Sequence, residues 1–541
     1  MTTIDLFAHG SDLGDMTPWT LGAVVPIARV SPGVLADTVG AHLAAHRPDA
    51  LLFWDTRLGP PPDPSTLLDQ PDDVWHAGLL LGTGGQPSSI DLVAPTWMLN
   101  ADPPADRPAT SWRLSLAACL VRTEVVRRLG FVDPAFTSTT GAGLELGHRW
   151  VSHGAFCRHE PALLEAARSR PPLDAVDAAD QQRFIHRRFG LSWALYATVR
   201  SRRRGAGLRR LRAVREEPVT PVAVLSRATP TPSDDGSRVS VVIPTFDRYP
   251  WLSTVLDHLA AQTVVPHEVL VVDQTPLERR RDVAAEAPAG LPLRVLTSEV
   301  AGQCTARNIA LDAATGDLLL FLDDDDELPP DLLARHLARL AQTRADANCG
   351  IAIEPGEDDL DPAFRRLRQS DVFPTNNTLL RRDALAASGL FDLAFDRGER
   401  ADHDLGMRLY LSGSRLVLDP EAEVLHHHAP SGGLRAHAAR VSTYRASRHS
   451  LTARQTLAPT ELYLWRRYYR PDQVREATRL RLLGTFSRRG GPGVRALRVL
   501  VQLALLRDTR RQLATAAARA DDLARDHPTI PPLAARGTSS P

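Results

Sequence analysis

The sequence predicts α/β domains organised around a largely parallel sheet, on three observations. Short β-branched or leucine-rich runs at Val239–Ile243, Val269–Val272 and Leu318–Leu322 read as strands buried on both faces. Helix-like segments separate them, as parallel crossovers require. Each run ends in polar or acidic residues (Thr245 and Asp247, Asp273, and the four carboxylates Asp323–Asp326), and sheets of this kind bind ligands at the carboxyl ends of their strands.

The elements follow in order. Val239-Ser-Val-Val-Ile-Pro-Thr-Phe-Asp-Arg248 is a strand broken at Pro244, followed by a helix over Trp251–Gln262. Glu268-Val-Leu-Val-Val-Asp-Gln-Thr275 is a second strand ending in an acid. A third, Leu293–Thr297, leads into Gly302-Gln-Cys-Thr-Ala-Arg-Asn-Ile-Ala310, a loop entering a helix. The strand at Leu318–Asp326 then delivers the acids, with Pro329 and Pro330 close behind. Four adjacent carboxylates repel one another unless a cation joins them, and a hard divalent metal carrying a phosphate ester is the natural guest.

Composition narrows the function. At 541 residues the chain is too long for one core, so two or three domains are expected. The formal net charge is zero, which gives no electrostatic argument for nucleic acid. All 64 basic side chains are arginine, which removes lysine chemistry. Cys119, Cys157, Cys304 and Cys349 are widely spaced and suggest neither a zinc site nor a disulfide framework. Met1–Gly10 lacks a basic stretch and a long apolar one, and no apolar run reaches membrane-spanning length, so a cytoplasmic protein is expected.

Composition shifts divide the chain into 1–217, a Pro/Thr/Ser-rich linker at 218–238, the strand-and-helix segment 239–437, a helical region 438–530 and a disordered tail 531–541.

Four segments in order, Val241-Val-Ile-Pro-Thr245, Val271-Val-Asp273, Ala306-Arg-Asn308 and Phe321-Leu-Asp-Asp-Asp-Asp326, resemble the family 2 glycosyltransferases of GT-A fold. The resemblance covers about Val239–His437. It implies an inverting, metal-dependent transfer of a sugar from a nucleotide sugar to an acceptor hydroxyl. By that match Thr245 and Asp273 would contact the base, with Pro244 and Asp324 in the same nucleotide-sugar site, and Arg307 would lie near the ribose or diphosphate. Asp323 and Asp325 match the two acids of the DxD motif, with Asp325 the main ligand of Mn2+ or Mg2+. The chain has Asp273-Gln-Thr-Pro276 where the family often has Asp-Asp-Gly-Ser.

Arg400-Ala-Asp-His-Asp-Leu-Gly-Met-Arg-Leu409 resembles the family's Glu-Asp motif, so Asp402 would be the catalytic base, with Ala401 replacing the usual Glu. Asp402 also opens a helix over Asp402–Leu411, where an acid serves as a helix-start residue. Asp404 is a second candidate for either role and for acceptor binding. His426, the first of three histidines after a strand at Ala422–Leu425, is the metal-ligand candidate; a polar edge is its other reading. Asn376 and Asn377 are candidates for acceptor sugar contacts, or an ordinary turn.

The first region carries a faint repeat. Asp49-Ala-Leu-Leu-Phe-Trp-Asp55 aligns with Asp317-Leu-Leu-Leu-Phe-Leu-Asp323, and Gly130–Phe136 with Gly389–Phe395. The same register pairs Glu145 with Asp404 and Arg149 with Arg408. It pairs Asp325 with Arg57 and Asp402 with Gly143, so metal ligand and base are both missing. The repeat reads as a degenerate GT-A-like domain, shorter than the second copy before its acids.

Expected partners are a nucleotide-sugar donor and a saccharide or lipid-linked acceptor, with no nucleic acid; a homo-oligomer is compatible. Val494-Arg-Ala-Leu-Arg-Val-Leu-Val-Gln-Leu-Ala-Leu-Leu-Arg507 suits either peripheral contact with the inner face of a membrane or a helix packed on the catalytic domain, and packing is the simpler reading. A nucleotidyltransferase is disfavoured because Thr245–Trp251 has no Gly-rich basic loop. A non-catalytic nucleotide-sugar or glycan-binding scaffold is the alternative function.

Overall fold

The computed structural model describes residues 2–10, 19–85, 89–200, 204–217, 222–232, 236–356, 360–429, 432–434, 452, 456–486 and 491–534. Expectations for 218–221, 233–235, 435–451 and 535–541, within the linker, the segment ends and the tail, lie outside the described residues. The chain divides into two compact units, one of Met1–Ala228, Asp361–Gln369 and Tyr410–Val417, the other of Thr229–Leu360, Ser370–Leu409 and Leu418–Pro541.

The first unit holds β1 (Ile4–His9), β2 (Val24–Ile27), α1 (Pro32–Ala45), β3 (Ala50–Asp55), β4 (Val74–His76), β5 (Ala109–Thr110), β6 (Ala118–Arg122), α2 (Thr123–Leu129), α3 (Thr139–Ser152), β7 (Cys157–His159), α4 (Ala178–Phe189), α5 (Leu191–Arg200) and α6 (Arg204–Glu216). Its sheet runs β2-β1-β3-β6-β4-β7-β5. Leu52, Trp54, Trp75 and Leu120 fill the core on one face.

In the second unit lie β8 (Val239–Thr245), α7 (Tyr249–Ala260), β9 (Glu268–Asp273), α8 (Val283–Glu286), β10 (Leu293–Thr297), α9 (Gln303–Ala313), β11 (Leu318–Leu322), β12 (Asp326–Glu327), α10 (Leu332–Thr343) and β13 (Ala347–Ile353). The short β14 (Arg368–Gln369) belongs to the first unit; β15 (Asn377–Arg381), α11 (Arg382–Ser388), α12 (Ala401–Leu411) and β16 (Leu416–His426) follow. The sheet order is β10-β9-β8-β11-β15-β13-β16-β12. The parallel sheet expected from sequence occupies half of it: β10, β9, β8 and β11 are parallel, whereas β15 runs antiparallel to both β11 and β13, and β12 to β16. β8, β9 and β11 are buried on both faces, which explains their continuous apolar runs.

The two sheets share a kernel. β1 is parallel to β3, which is antiparallel to β6; β8 is parallel to β11, which is antiparallel to β15. Beyond β8 the second sheet adds β9 and β10, where the first adds only β2 beyond β1. Among the described residues the first sheet therefore has one strand fewer on this side of the kernel. Gly130 after α2 and Gly389 after α11 take the same positive-φ conformation, 74° and 79°, which glycine adopts without steric cost.

The C-terminal helices are α13 (Pro459–Tyr468), α14 (Pro471–Gly484), α15 (Pro492–Ala504) and α16 (Leu506–Asp526). The first three start with proline, whose missing N–H costs nothing there. α15 departs from the expected packing: it buries Arg498 and Gln502 and exposes its leucines.

Candidate active site

The ends of β8, β9 and β11 lie side by side, with Thr245 in register with Asp273. After Leu322 the chain turns, and the Asp323 N–H donates to Asp326 Oδ2 at 2.8 Å, closing the turn. Asp326 then opens β12, whose antiparallel register sets it opposite His426. The strand predicted to run through Asp326 thus stops at Leu322, and this break folds the four acids into one cluster.

Three internal cations meet that cluster. Arg307 Nη2 donates to Asp323 Oδ1 at 2.8 Å. Arg248 Nη1 donates to Asp324 Oδ1 at 2.9 Å and to Asp325 Oδ2 at 3.1 Å. His426 Nδ1 donates to Asp326 Oδ1 at 2.8 Å and lies 3.5 Å from Asp325 Oδ1. Burial lifts the Asp324 carboxyl to about 6, and Arg248 offsets only part of that. Burial alone would lower His426, but Asp326 and the neighbouring acids outweigh it and raise the imidazole to about 9.

The donor set fits a divalent cation. Asp323, Asp325 and His426 each offer a ligand atom, and these atoms lie within 4.8 Å of one another. Asp325 is buried, and among the described residues its Oδ1 has no hydrogen-bond partner, although the Ala429 N–H donates to Oδ2 at 2.7 Å. A buried carboxylate oxygen without a hydrogen bond, with only the His426 imidazole 3.5 Å away, is costly, and a metal cation would complete it.

Helix α9 ties this cluster to α12. Asp396 caps its N-terminus, accepting from the Cys304 N–H at 2.9 Å and the Thr305 N–H at 2.8 Å. One turn before Arg307, the Gln303 side chain donates to the carbonyls of Phe395 and Gly398 in the loop entering α12. Arg400 in that loop has φ 83°, a strained backbone for a side-chain-bearing residue. Asp402 follows, half-exposed, with His403 Nδ1 3.1 Å from its Oδ1 and Arg400 Nη1 donating to His403 Nε2 at 3.3 Å. Burial would raise the Asp402 carboxyl, but His403 and Arg400 overcome it and hold it at about 2.

Several candidate residues are buried with internal partners. Asp273 is fully buried: Oδ1 accepts from the Thr275 N–H at 2.8 Å and Oδ2 from the Tyr249 hydroxyl at 2.9 Å, so its oxygens help shape the turn. Thr245, also buried, donates to Asp324 Oδ2 at 2.8 Å and braces that acid, while Pro244 beside it is only half-buried. Asn377 is fully buried and donates to the Ile351 and Ala422 carbonyls, leaving nothing for an acceptor sugar; Asn376 is half-buried at the surface. Asp404 is fully buried, accepting from Arg408 Nε at 2.9 Å and the Tyr468 hydroxyl at 2.7 Å, a structural role within its helix and the C-terminal region. Its counterpart Glu145 likewise accepts from Arg149 at 3.2 Å. Both arginines reach the carbonyls around the preceding helix end, Leu129 and Phe131 in one unit, Ser388 and Gly389 in the other.

Arg248 was missed by sequence reasoning. Only its place three residues after Thr245, past a turn in which Asp247 has φ 57°, would have pointed to it.

Residues 240–390 match the family model for glycosyl transferase family 2. The chain carries a family 2 glycosyltransferase domain. An uncharacterized glycosyltransferase of Bacillus subtilis, YwdF, is 33% identical over 106 residues, 19% of this chain and 37% of the relative. The succinoglycan biosynthesis protein ExoM of Rhizobium meliloti is 30% identical over 198 residues, 33% of this chain and 63% of the relative. The chain thus spans less than two thirds of the length of these curated relatives. A mannosyltransferase from Pyrobaculum calidifontis, solved with GDP-Man and Mn2+, aligns with a TM-score of 0.37 at 20% identity, over 55% of this chain and 88% of its own.

Proposed function

We propose that this protein is an inverting, metal-dependent glycosyltransferase that moves a sugar from a nucleotide-sugar donor to an acceptor hydroxyl. The observation that carries the reading is the convergence of Asp323 and Asp325, inside the family-matched segment, with His426 beyond it, around a buried carboxylate oxygen that lacks a hydrogen bond among the described residues. These three residues would hold Mn2+ or Mg2+, which when bound supplies positive charge to a diphosphate leaving group. Arg307 and Arg248 add their own positive charge beside it. Asp402, ionised at neutral pH, accepts the acceptor's hydroxyl proton on a carboxylate oxygen, and His403 orients that carboxylate. The catalytic segment is about 239–437, with the first unit a degenerate copy that has lost both the metal ligand and the base. The similarity to a succinoglycan biosynthesis protein favours a saccharide acceptor, free or lipid-linked.

A thermal-shift titration with UDP, GDP, dTDP and CDP, each with and without manganese, tests the reading. A manganese-dependent rise with one nucleotide, lost in Asp325→Ala, is the expected outcome. Wild-type metal-dependent turnover by Asp325→Ala would sink it.

A further inference from the structure

Helix α15 is built inside out. Along its 13 residues the side chains turned into the protein are Arg498, whose Nε donates to the Thr485 carbonyl at 3.0 Å, and Gln502. Outward face Val494 at 52% exposure, Leu497 at 48%, Leu500 at 65% and Leu503 at 53%, continued by Leu506 at the start of α16. At 3.6 residues per turn Leu500 stands about 200° from both Arg498 and Gln502, so the most exposed leucine lies opposite the buried polar stripe. A helix that buries its arginine and glutamine and leaves a row of leucines in water is arranged for an apolar partner outside the fold.

The surrounding charge identifies that partner. From Ala477 to Arg507 the sequence contains seven arginines and no aspartate or glutamate, with Glu476 and Asp508 at its two edges; Arg479 and Arg481 pair with Glu476 and Glu461, and Arg498 is turned inward. Arg495 and Arg507 are exposed on or beside α15. Among the described residues no helix is long and apolar enough to cross a membrane. A short amphipathic helix with leucines on one face and arginines around it lies in the headgroup plane, its apolar side chains among acyl chains and its cations against anionic lipid.

We propose that the α15 face docks the protein on an anionic lipid bilayer, with Leu497, Leu500 and Leu503 entering the interface and Arg495 and Arg507 meeting the headgroups. This goes beyond glycosyl transfer and does not depend on it.

Flotation of the full-length protein with phosphatidylcholine vesicles, with and without phosphatidylglycerol, tests the proposal. Binding should require phosphatidylglycerol and weaken as salt is raised. Leu500→Gln together with Leu503→Gln should weaken binding by about 10-fold or more, with thermal stability unchanged because both side chains are exposed. Leu500→Gln alone should give a smaller loss in the same direction, which keeps the test decisive if the double variant folds poorly. Arg507→Gln should reduce binding and its salt dependence together. Equal binding by wild type and the leucine variants, no preference for the anionic lipid, or a dimer that the leucine changes dissociate without any vesicle binding would each overturn the proposal, the last by assigning the face to a second copy of this chain.

Discussion

Arg57 folds back on Asp55, its Nε 3.0 and 3.2 Å from the two carboxylate oxygens and its Nη2 2.7 Å from Oδ2. In the register that the sequence repeat suggests, Asp55 aligns with Asp323 and Arg57 with Asp325. Where the second unit has a carboxylate oxygen without a hydrogen bond among the described residues, the first closes its acid with a guanidinium. The full-length protein should therefore bind one manganese ion per chain in calorimetric titration. Asp325→Asn should remove that site and Asp55→Asn should leave it intact. Asp55→Asn should cost about 1 kcal/mol of stability, from a weakened short-helix cap and a half-exposed ion pair. Loss of manganese binding in Asp55→Asn would contradict the assignment of the metal to the second unit.

Asp402 has a carboxyl held at about 2, so it is ionised at any pH at which the protein would work. Asp402→Asn should keep nucleotide affinity and lower kcat by about 10²- to 10⁴-fold, since the change removes a base at nearly constant shape. The wild-type pH–rate profile should show no acid limb from this group above about pH 4. His403→Ala removes the neighbour that depresses it, so its limb should move upward in pH while remaining acidic. An unchanged kcat in Asp402→Asn would transfer the base role elsewhere.

The strand sequence was legible because strands buried on both faces are written as uninterrupted apolar runs: Val239–Ile243, Val269–Val272 and Leu318–Leu322 all fall in the parallel half of the sheet. The antiparallel half was less so: β16 extends over Leu416–His426 through Asp419, Pro420 and Glu421, whereas the sequence pattern marked a strand only at Ala422–Leu425. At the site, Asp323, Asp325 and His426 come together as their motif positions imply. What the sequence hid was occupancy. Asp273 and Asp404 match motif positions, yet the Tyr249 and Tyr468 hydroxyls reach them from 24 and 64 residues away. Arg248 escaped notice because an isolated arginine in a loop carries no pattern until the fold sets it against Asp324 and Asp325.

Asn376 and Asn377 are neighbours with opposite expected behaviour. Asn377 Nδ2 donates to the Ile351 carbonyl at 3.0 Å and the Ala422 carbonyl at 2.8 Å, and its Oδ1 accepts from His336 Nε2 at 2.9 Å. Asn377→Ala strands these buried groups and should cost about 2–4 kcal/mol, read as a lower melting temperature, without changing KM for the acceptor. Asn376→Ala should leave stability within about 0.5 kcal/mol of wild type, and any effect should fall on acceptor KM. A selective acceptor KM effect in Asn377→Ala at full stability would restore it to the acceptor site.

Glu268 stitches the start of β9 to its neighbours, and its titration should be visible in stability. Its Oε1 accepts from the Ser240 hydroxyl at 2.7 Å and the Thr315 N–H at 2.6 Å, and Oε2 accepts from Arg294 at 2.5 Å. Burial alone would raise the carboxyl, but these donors prevail and bring it from 4.5 to about 2. A folded-state value below the unfolded one stabilises the fold at pH above about 4.5, and the contribution fades as pH falls toward 2. With Arg294 half-exposed and screened, the effect is on the order of 2 kcal/mol. Glu268→Gln should therefore melt several degrees below wild type near neutral pH, and the gap should narrow as pH is lowered from about 5 toward 3. A gap independent of pH would mean that shape and hydrogen bonding, rather than the ionised carboxylate, hold this corner of the sheet.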